Sequence, residues 1–130
     1  MILGVALATL GAAAFARDVA LAAESRRADG PHRLLVLSDI EADPDDTQSF
    51  VRLLLYSNEI DLEGLVATTS VHRRTSPAPE SIRALVRAYS EVHGNLLKHD
   101  ASYPPPEALL ALVKQGQPGY GMGAVGAGKD

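Results

Sequence analysis

The stretch RLLVLSDIEADPDD, residues 33–46, decides the fold of this chain, because an apolar run leads directly into an acidic turn and a helix start. The segment Arg33–Leu37 holds four consecutive apolar residues without alternation, which is typical of a strand buried on both faces of a parallel sheet. Asp43 followed by Pro44 predicts a helix with Asp43 at the N-cap and Pro44 as the first helical residue. The stretch therefore predicts a strand, an acidic turn and a helix in immediate succession.

The sequence that follows continues this alternation of strands and helices. The first helix is expected over Pro44–Ser57 and a second strand over Ile60–Thr69. Apolar residues at helical spacing predict a second helix over Pro79–Leu97, and a proline-led third helix is expected over Pro104–Gly116. The remaining residues, 117–130, are predicted to form a Gly-rich loop. This order predicts an α/β fold with an open, mostly parallel sheet and flanking helices. Two strands are too few for such a sheet, so we interpret the chain as the amino-terminal part of a longer domain.

The first residues carry the pattern of an export signal. An apolar run extends to Ala16, Arg17 and Asp18 interrupt it, and residues 20–22 have the small-x-small form of a signal-peptidase site. We therefore predict a signal peptide over residues 1–22 and a periplasmic or extracellular location, with a buried or amphipathic helix as the alternative. The apolar run is too short for a stable membrane span. A polar, disordered lead-in is expected over residues 23–31 and the folded domain over residues 32–130.

Composition and charge narrow the classes of function. The chain has 130 residues, of which 46% are hydrophobic, enough for one modest core. Its net charge of −4 gives no electrostatic reason to expect a nucleic-acid partner. The absence of cysteine excludes thiolate catalysis and Cys-ligated zinc from this segment.

The acidic turn, residues 39–46, is the part of the sequence that most directly suggests a chemical function. Five of its eight residues are carboxylates, and no Lys or Arg lies between Arg33 and Arg52 to neutralise them. The five are Asp39, Glu41, Asp43, Asp45 and Asp46. A divalent cation would offset the repulsion among them, and hard oxygen ligands favour Ca²⁺ or Mg²⁺. The turn also lies beyond the carboxyl end of a predicted strand, which is where ligands bind in open α/β sheets.

A simpler interpretation needs no metal. Acidic residues at a helix start are favoured by the helix dipole alone, which would account for Asp43, Asp45 and Asp46. Capping does not account for Asp39 and Glu41 at the end of the strand. The sequence pattern therefore favours the cation, with capping as the alternative.

Two segments together give the chain a family likeness. Residues 38–46 and residues 58–70 resemble the start of a nucleoside-hydrolase-like domain, in particular the branch described as cellulose-binding proteins with such a domain. The resemblance implies a Rossmann-type open sheet and Ca²⁺-dependent cleavage of an N-glycosidic bond. The implied partner is a small-molecule nucleoside or carbohydrate substrate.

The resemblance also implies roles for individual residues. Glu41 takes the place of the first Asp of the family motif, and Asp45 and Asp46 take the place of its Asp pair. By resemblance Glu41 and Asp46 ligate calcium and Asp45 holds a ribose hydroxyl, while Asp39 matches a further acidic residue before the motif. Two departures bear on catalysis, because Glu41 is one methylene longer than the usual Asp and Asp43 replaces a usual Gly. The family's remaining metal ligand and its leaving-group acid lie further downstream than this chain extends.

The candidate site therefore has a defined membership. The candidate metal ligands are Asp39, Glu41, Asp45 and Asp46. Glu41 and Asp45 are the candidate catalytic residues. His72, in the loop after the second strand, joins Asp45 as a candidate substrate contact.

Three functions stay open at this point. The first is an exported hydrolase acting on a glycosidic or N-ribosidic bond with a calcium-activated water. The second is a non-catalytic carbohydrate-binding protein with the same fold, and the third is a structural α/β segment whose acids only cap a helix. The Gly-rich segment over residues 121–126 spells a dinucleotide fingerprint, but no predicted strand precedes it, so we do not infer nucleotide binding from it.

Overall fold

Two parallel strands and the helix between them form the part of the fold that was predicted from residues 33–69. The computed structural model describes residues 30–128, in which β1 (His32–Ser38) and β2 (Ile60–Ala67) pair in parallel and α1 (Pro44–Leu55) connects them. Helix α1 starts at Pro44, as predicted, because proline fixes a helical φ and its missing N–H is not needed in the first turn. The predicted signal peptide and nearly all of the predicted lead-in lie outside the described residues.

Two further helices cover the sheet. Helix α2 (Pro79–Leu96) follows the predicted bounds closely, and helix α3 (Pro106–Leu112) is shorter than predicted. Helix α2 buries Ile82, Val86 and Tyr89, which recur at helical spacing on one face. Residues of α1, α3 and β2 pack against this face in the hydrophobic core. Ile40, the only large apolar residue of the acidic turn, also belongs to the core. Among the helices of residues 30–128, none is long and apolar enough to cross a membrane.

A third strand takes the place of the end of the third predicted helix. Helix α3 ends at Leu112, and β3 (Val113–Gln115) pairs in parallel with residues 65–67 of β2. The prediction of a helix as far as Gly116 was wrong because this pairing satisfies backbone groups of β2 and buries Val113, and local helix propensity is too weak to oppose both. The backbone N–H of Gly116 extends the pairing by donating to the carbonyl of Ala67 at 2.8 Å.

Strand β1 differs from the prediction in its burial. Leu35 is 56% exposed and Leu37 is 64% exposed, so within residues 30–128 the strand is not buried on both faces. The sheet has the order β1-β2-β3, which leaves β1 at one edge with β2 as its only described neighbour. An open groove of about 520 Å³ separates β1 from α1, and Phe50 and Leu53 line its helical side. The face of β1 that carries Leu35 and Leu37 is therefore not fully covered by any described element, and β1 also lies at the edge of the described sheet.

Candidate functional site

The carboxyl ends of β1 and β2 lie side by side and carry the candidate site. The backbone N–H of Thr68 donates to the carbonyl of Ser38 at 2.7 Å, which joins the ends of the two strands. The acidic turn leaves from β1, and the loop with His72 leaves from β2. Side chains from two separate segments can therefore meet at this edge of the sheet, which is the usual place for ligands in open α/β folds.

The acidic turn is fixed to the body of the domain by a residue that is not acidic. Ile40 is completely buried and belongs to the hydrophobic core. The backbone N–H of Ala42 donates to the carbonyl of Asp39 at 2.9 Å and closes the turn. Glu41 lies between Ile40 and Ala42 and has a φ of +77°, in the left-handed region that residues with a side chain seldom adopt. The buried isoleucine and the closed turn hold that conformation, and Glu41 itself is exposed.

Asp46 is held against the end of β1 by a serine. The Ser38 hydroxyl donates to Asp46 Oδ2 at 2.9 Å and accepts the backbone N–H of Ile40 at 3.0 Å. Asp46 lies in the first turn of α1, so this contact links the helix to the strand. The contact also turns the Asp46 carboxylate toward the sheet edge, where Asp39 lies close enough to interact with it.

The pKa values of Asp39 and Asp46 are shifted in opposite directions. A hydrogen bond from Ser70 is the main cause that lowers the pKa of Asp39, and the positive field of His72 acts in the same direction. Burial is the main cause that raises the pKa of Asp46, and the nearby charges of Asp39 and Asp45 add to it. Two carboxylates in contact repel each other when both are ionised, so without a cation Asp46 is the one that more readily holds a proton.

The structure groups some of the predicted site residues and separates others. Asp39 and Asp46 are half-buried and interact, and His72 lies near enough to Asp39 to affect it electrostatically. Glu41 and Asp45 are exposed on the solvent side of the turn. Within residues 30–128, no group of three or more His or acidic side chains is arranged to hold a metal ion. The pair Asp39 and Asp46 is therefore the centre of the candidate site.

The geometry of the helix start supports the capping alternative only in part. Asp43 occupies the N-cap position of α1 as predicted, but its side chain makes no capping hydrogen bond. Asp45 Oδ1 accepts the backbone N–H of Asp46 at 3.1 Å, which is a local contact at the helix start. Capping thus gives a structural role to Asp45, and it leaves the contact of Asp39 with Asp46 without an explanation.

The loop after β2, which carries Ser70 and His72, contacts the Gly-rich segment that follows β3. The Thr69 hydroxyl donates to the carbonyl of Gly119 at 3.3 Å, and Thr75 and Gly119 form an isolated antiparallel bridge. The guanidinium carbon of Arg74 lies 5.9 Å from the centre of the Tyr120 ring. The Gly-rich segment therefore contacts the loop that carries His72. Within it, Met122–Ala124 form a short 3₁₀ helix rather than the start of an α-helix.

Ser38 and Ser70 contact the candidate site, and the sequence pattern did not reveal them. Each follows or ends a strand at the carboxyl edge of the sheet, and each contributes a hydroxyl to one of the two interacting carboxyl groups. The available signal was the position of a hydroxyl residue at the end of each predicted strand. That signal is weak by itself, because serine is common at strand ends and in turns.

The strained backbone of Glu41 gives a first testable expectation. A left-handed conformation costs about 1–2 kcal/mol for a residue with a Cβ, and glycine loses about 0.5–1 kcal/mol more conformational entropy on folding. Glu41→Gly should therefore stabilise the metal-free protein by about 0.5–1 kcal/mol. Chemical denaturation of the full-length protein in the presence of a chelator measures this.

Ser76→Gly is the matched control for that measurement. Ser76 also has a left-handed backbone, with φ of +61°, and lies in the loop after β2. Both variants should gain stability in the chelator, and only Glu41→Gly should lower calcium affinity if Glu41 is a ligand as the family likeness implies. A stability loss in Glu41→Gly would show that its side chain makes a contact more valuable than the relieved strain.

Comparison with known proteins identifies the family. Residues 33–130 match the family described as "Cellulose-binding Sde182, nucleoside hydrolase-like domain". A similar solved structure is that of a nucleoside hydrolase-related hypothetical protein from Saccharophagus degradans that is associated with carbohydrate metabolism. It shares 42% sequence identity with this chain and superposes with a TM-score of 0.75 over 78% of this chain and 25% of that one. No curated protein sequence matches the chain.

The likeness that residues 38–46 and 58–70 suggested is thereby confirmed, as is the α/β fold with an open parallel sheet. The chain spans about a quarter of the length of the solved structure that it resembles. The family match covers all of the described strands and helices except the first residue of β1. This chain belongs to the cellulose-binding Sde182 family, the one defined by a nucleoside-hydrolase-like domain.

Proposed function

We propose that the protein is an exported hydrolase that cleaves an N-ribosidic or glycosidic bond, with Ca²⁺ held at the carboxyl end of β1. The observation that carries the proposal is the contact between Asp39 and Asp46, which come from opposite ends of the acidic turn and are both half-buried. Folding places two carboxyl groups in contact at a ligand-binding edge, which costs Coulomb energy unless a proton or a cation lies between them. The description of the family as cellulose-binding supports a carbohydrate ligand.

The donor atoms of this edge suit a hard cation. Ca²⁺ takes six to eight oxygen ligands, and carboxylates, carbonyls and water all serve. Asp39 and Asp46 would supply the first oxygens, and the exposed Glu41 has the length and flexibility to add one. The remaining ligands would come from water and from parts of the protein outside residues 30–128. Carboxylate, carbonyl and water oxygens suit Ca²⁺ better than softer metals.

The residues around the pair would divide the chemistry. Calcium, when bound, would lower the pKa of a water and fix the hydroxyl groups of a sugar. A carboxylate beside that water would accept its proton, and Glu41 and Asp45 are the candidates because both face solvent. Asp45 would also hold a sugar hydroxyl, as the family likeness implies. Negative charge at this edge stabilises the oxocarbenium-like transition state of glycosidic bond cleavage.

A second function has its own support. The family is described as cellulose-binding, and the similar solved structure is described as associated with carbohydrate metabolism. A protein that keeps the fold and binds a carbohydrate without cleaving it would meet both descriptions. Glu41 and Asp43 depart from the nucleoside hydrolase motif, which is consistent with a loss of turnover.

Turnover and binding separate the two functions. We expect the full-length protein to release free base from nucleosides or reducing sugar from glycosides, as measured by chromatography, and to lose this activity in a chelator. Asp45→Asn should reduce turnover while calcium binding persists. Asp61→Asn is the matched control, because Asp61 is an exposed carboxylate at the amino end of β2, away from the site edge.

The other results have clear meanings. Saturable binding of a soluble oligosaccharide without turnover of any substrate would favour the non-catalytic function. If neither turnover nor sugar binding is found, both functions are wrong. An equal loss of turnover in Asp61→Asn and Asp45→Asn would show that the effect does not come from the proposed edge.

A further inference from the structure

The buried hydroxyl of Ser38 joins three parts of the candidate site. Ser38 is the last residue of β1 and only 8% exposed. Its Oγ contacts Asp46 of α1 and the backbone of Ile40 in the acidic turn. A strand end, a turn and a helix start therefore meet at a single atom.

The direction of these hydrogen bonds is fixed by proton counting. A serine hydroxyl has one proton to donate and can accept in return. The backbone N–H of Ile40 can only donate, so Ser38 Oγ is the acceptor in that contact. The hydroxyl proton is thus left for Asp46 Oδ2, which accepts it at 2.9 Å. The Ser38 hydroxyl thus holds Asp46 Oδ2 at the end of β1.

The contact also restricts the Asp46 side chain. An aspartate in the first turn of a helix can otherwise turn toward the backbone N–H groups of its own helix, as acidic residues at helix starts commonly do. The bond to Ser38 instead keeps the carboxylate at the end of β1, beside Asp39. Because Ile40 is completely buried, the partner that orients Ser38 cannot shift without disturbing the core.

We propose that Ser38 is a positioning residue, which orients the Asp46 carboxylate for cation binding through the hydrogen bond from Oγ to Oδ2. The proposal rests on the proposed function, because it assigns Ser38 a role in the same calcium site. Ser38 does not contact the ion in this assignment and acts only through Asp46.

Ser70 occupies an equivalent place at the end of the neighbouring strand. Its Oγ accepts the backbone N–H groups of His72 at 3.0 Å and Arg73 at 3.1 Å. Because Ser70 Oγ accepts in both of these contacts, its own proton is available for the hydrogen bond to Asp39. Each of the two central carboxyl groups thus has a serine whose orientation is set by backbone N–H groups.

The test compares calcium binding by Ser38→Ala and Ser38→Thr in the full-length protein. Removal of a group that orients a metal ligand typically lowers metal affinity by about 10- to 100-fold. Titration calorimetry with Ca²⁺ should show a loss of that size in Ser38→Ala. Ser38→Thr keeps the hydroxyl at a strand position that tolerates β-branched residues, and it should retain most of the affinity.

Ser57→Ala is the matched control. Ser57 is also a buried serine, and its hydroxyl donates to the carbonyl of Leu54 at 2.8 Å, at the opposite end of α1. This variant loses a buried hydroxyl and its hydrogen bond to Leu54, whereas Ser38→Ala loses a buried hydroxyl and two hydrogen bonds. Ser57→Ala should bind calcium as tightly as the wild type. A general loss of stability would affect both alanine variants, whereas a positioning role affects only Ser38→Ala.

The outcomes separate this inference from the proposed function. Wild-type affinity in Ser38→Ala, or an equal loss in Ser38→Thr, would overturn the positioning role while calcium binding stands. If the wild type binds no calcium, the proposed function fails, and crystal structures of the metal-free variants decide the role of Ser38. The Asp46 carboxylate should then stay beside the end of β1 in Ser38→Thr and leave it in Ser38→Ala, and an unchanged carboxylate in both would overturn the inference.

Discussion

Saturating calcium should raise the free energy of unfolding of the full-length protein by about 2–4 kcal/mol, and Asp46→Asn should remove that gain. A ligand that binds only the folded state stabilises it by mass action, and this range corresponds to calcium at about 30- to 1,000-fold above its dissociation constant. Thermal or chemical unfolding with calcium and with a chelator measures the difference. Titration calorimetry supplies the dissociation constant for the comparison.

The choice of asparagine follows from the contacts of Asp46. Its amide oxygen can still accept the hydrogen bond that Ser38 donates, so the link between β1 and α1 should survive. Its amide group can donate to Asp39, as a protonated Asp46 would, which removes the repulsion within the pair. We therefore expect Asp46→Asn without calcium to be at least as stable as the wild type. What the variant lacks is the charge that a hard cation requires.

Asp43→Asn is the control for this prediction. It makes the same change of charge at an exposed residue of the same turn, and asparagine is as favourable as aspartate at an N-cap. The calcium gain should persist in Asp43→Asn. Calorimetry that detects no calcium binding to the wild type at millimolar concentration and neutral pH would leave helix-start stabilisation as the only role of the acidic turn.

The sequence could predict the parts of the fold that depend on local patterns. Proline at the starts of α1 and α2 defines their first residues, and apolar spacing defines their buried faces. The apolar run of β1 and the predicted helix after it were enough to predict two parallel strands and the position of their carboxyl ends. Because these ends meet at one edge in a parallel sheet, the location of the candidate site followed as well.

The parts that could not be predicted depend on distant contacts. Val113 continues the apolar pattern of a helix, and only its pairing with β2 makes it the start of a strand. The interaction of Asp39 with Asp46, and the exposure of Glu41, depend on how the buried Ile40 folds the turn. The sequence pattern named four carboxylates of the turn as candidate metal ligands, whereas burial and hydrogen bonding single out Asp39 and Asp46.

The exposed leucines of β1 give the second large expected effect. In the full-length protein, Leu37→Ala should lower the free energy of unfolding by about 2–5 kcal/mol, the range for a buried leucine. Leu37 is 64% exposed among the described residues, a position at which a substitution usually changes stability by only about 0.5 kcal/mol. We expect the larger value because a continuous apolar run is typical of a strand with neighbours on both edges and cover on both faces.

Three observations support a covering strand for β1. One edge of β1 has no neighbour in the described sheet, and a long apolar edge is a site at which another strand readily pairs. The groove between β1 and α1 is lined mainly by apolar side chains, so an added strand with inward apolar residues would fill it. The similar solved structure has three-quarters of its length outside the region matched by this chain, which is ample to supply such a strand.

Leu97→Ala is the control for this prediction. Leu97 lies at the end of α2 and is 42% exposed, less than Leu37. Exposure within the described residues therefore predicts that Leu97→Ala costs more than Leu37→Ala. We expect the reverse order, with Leu97→Ala costing about 1 kcal/mol or less. If the order follows exposure instead, β1 is a true edge strand, and its apolar run needs another explanation.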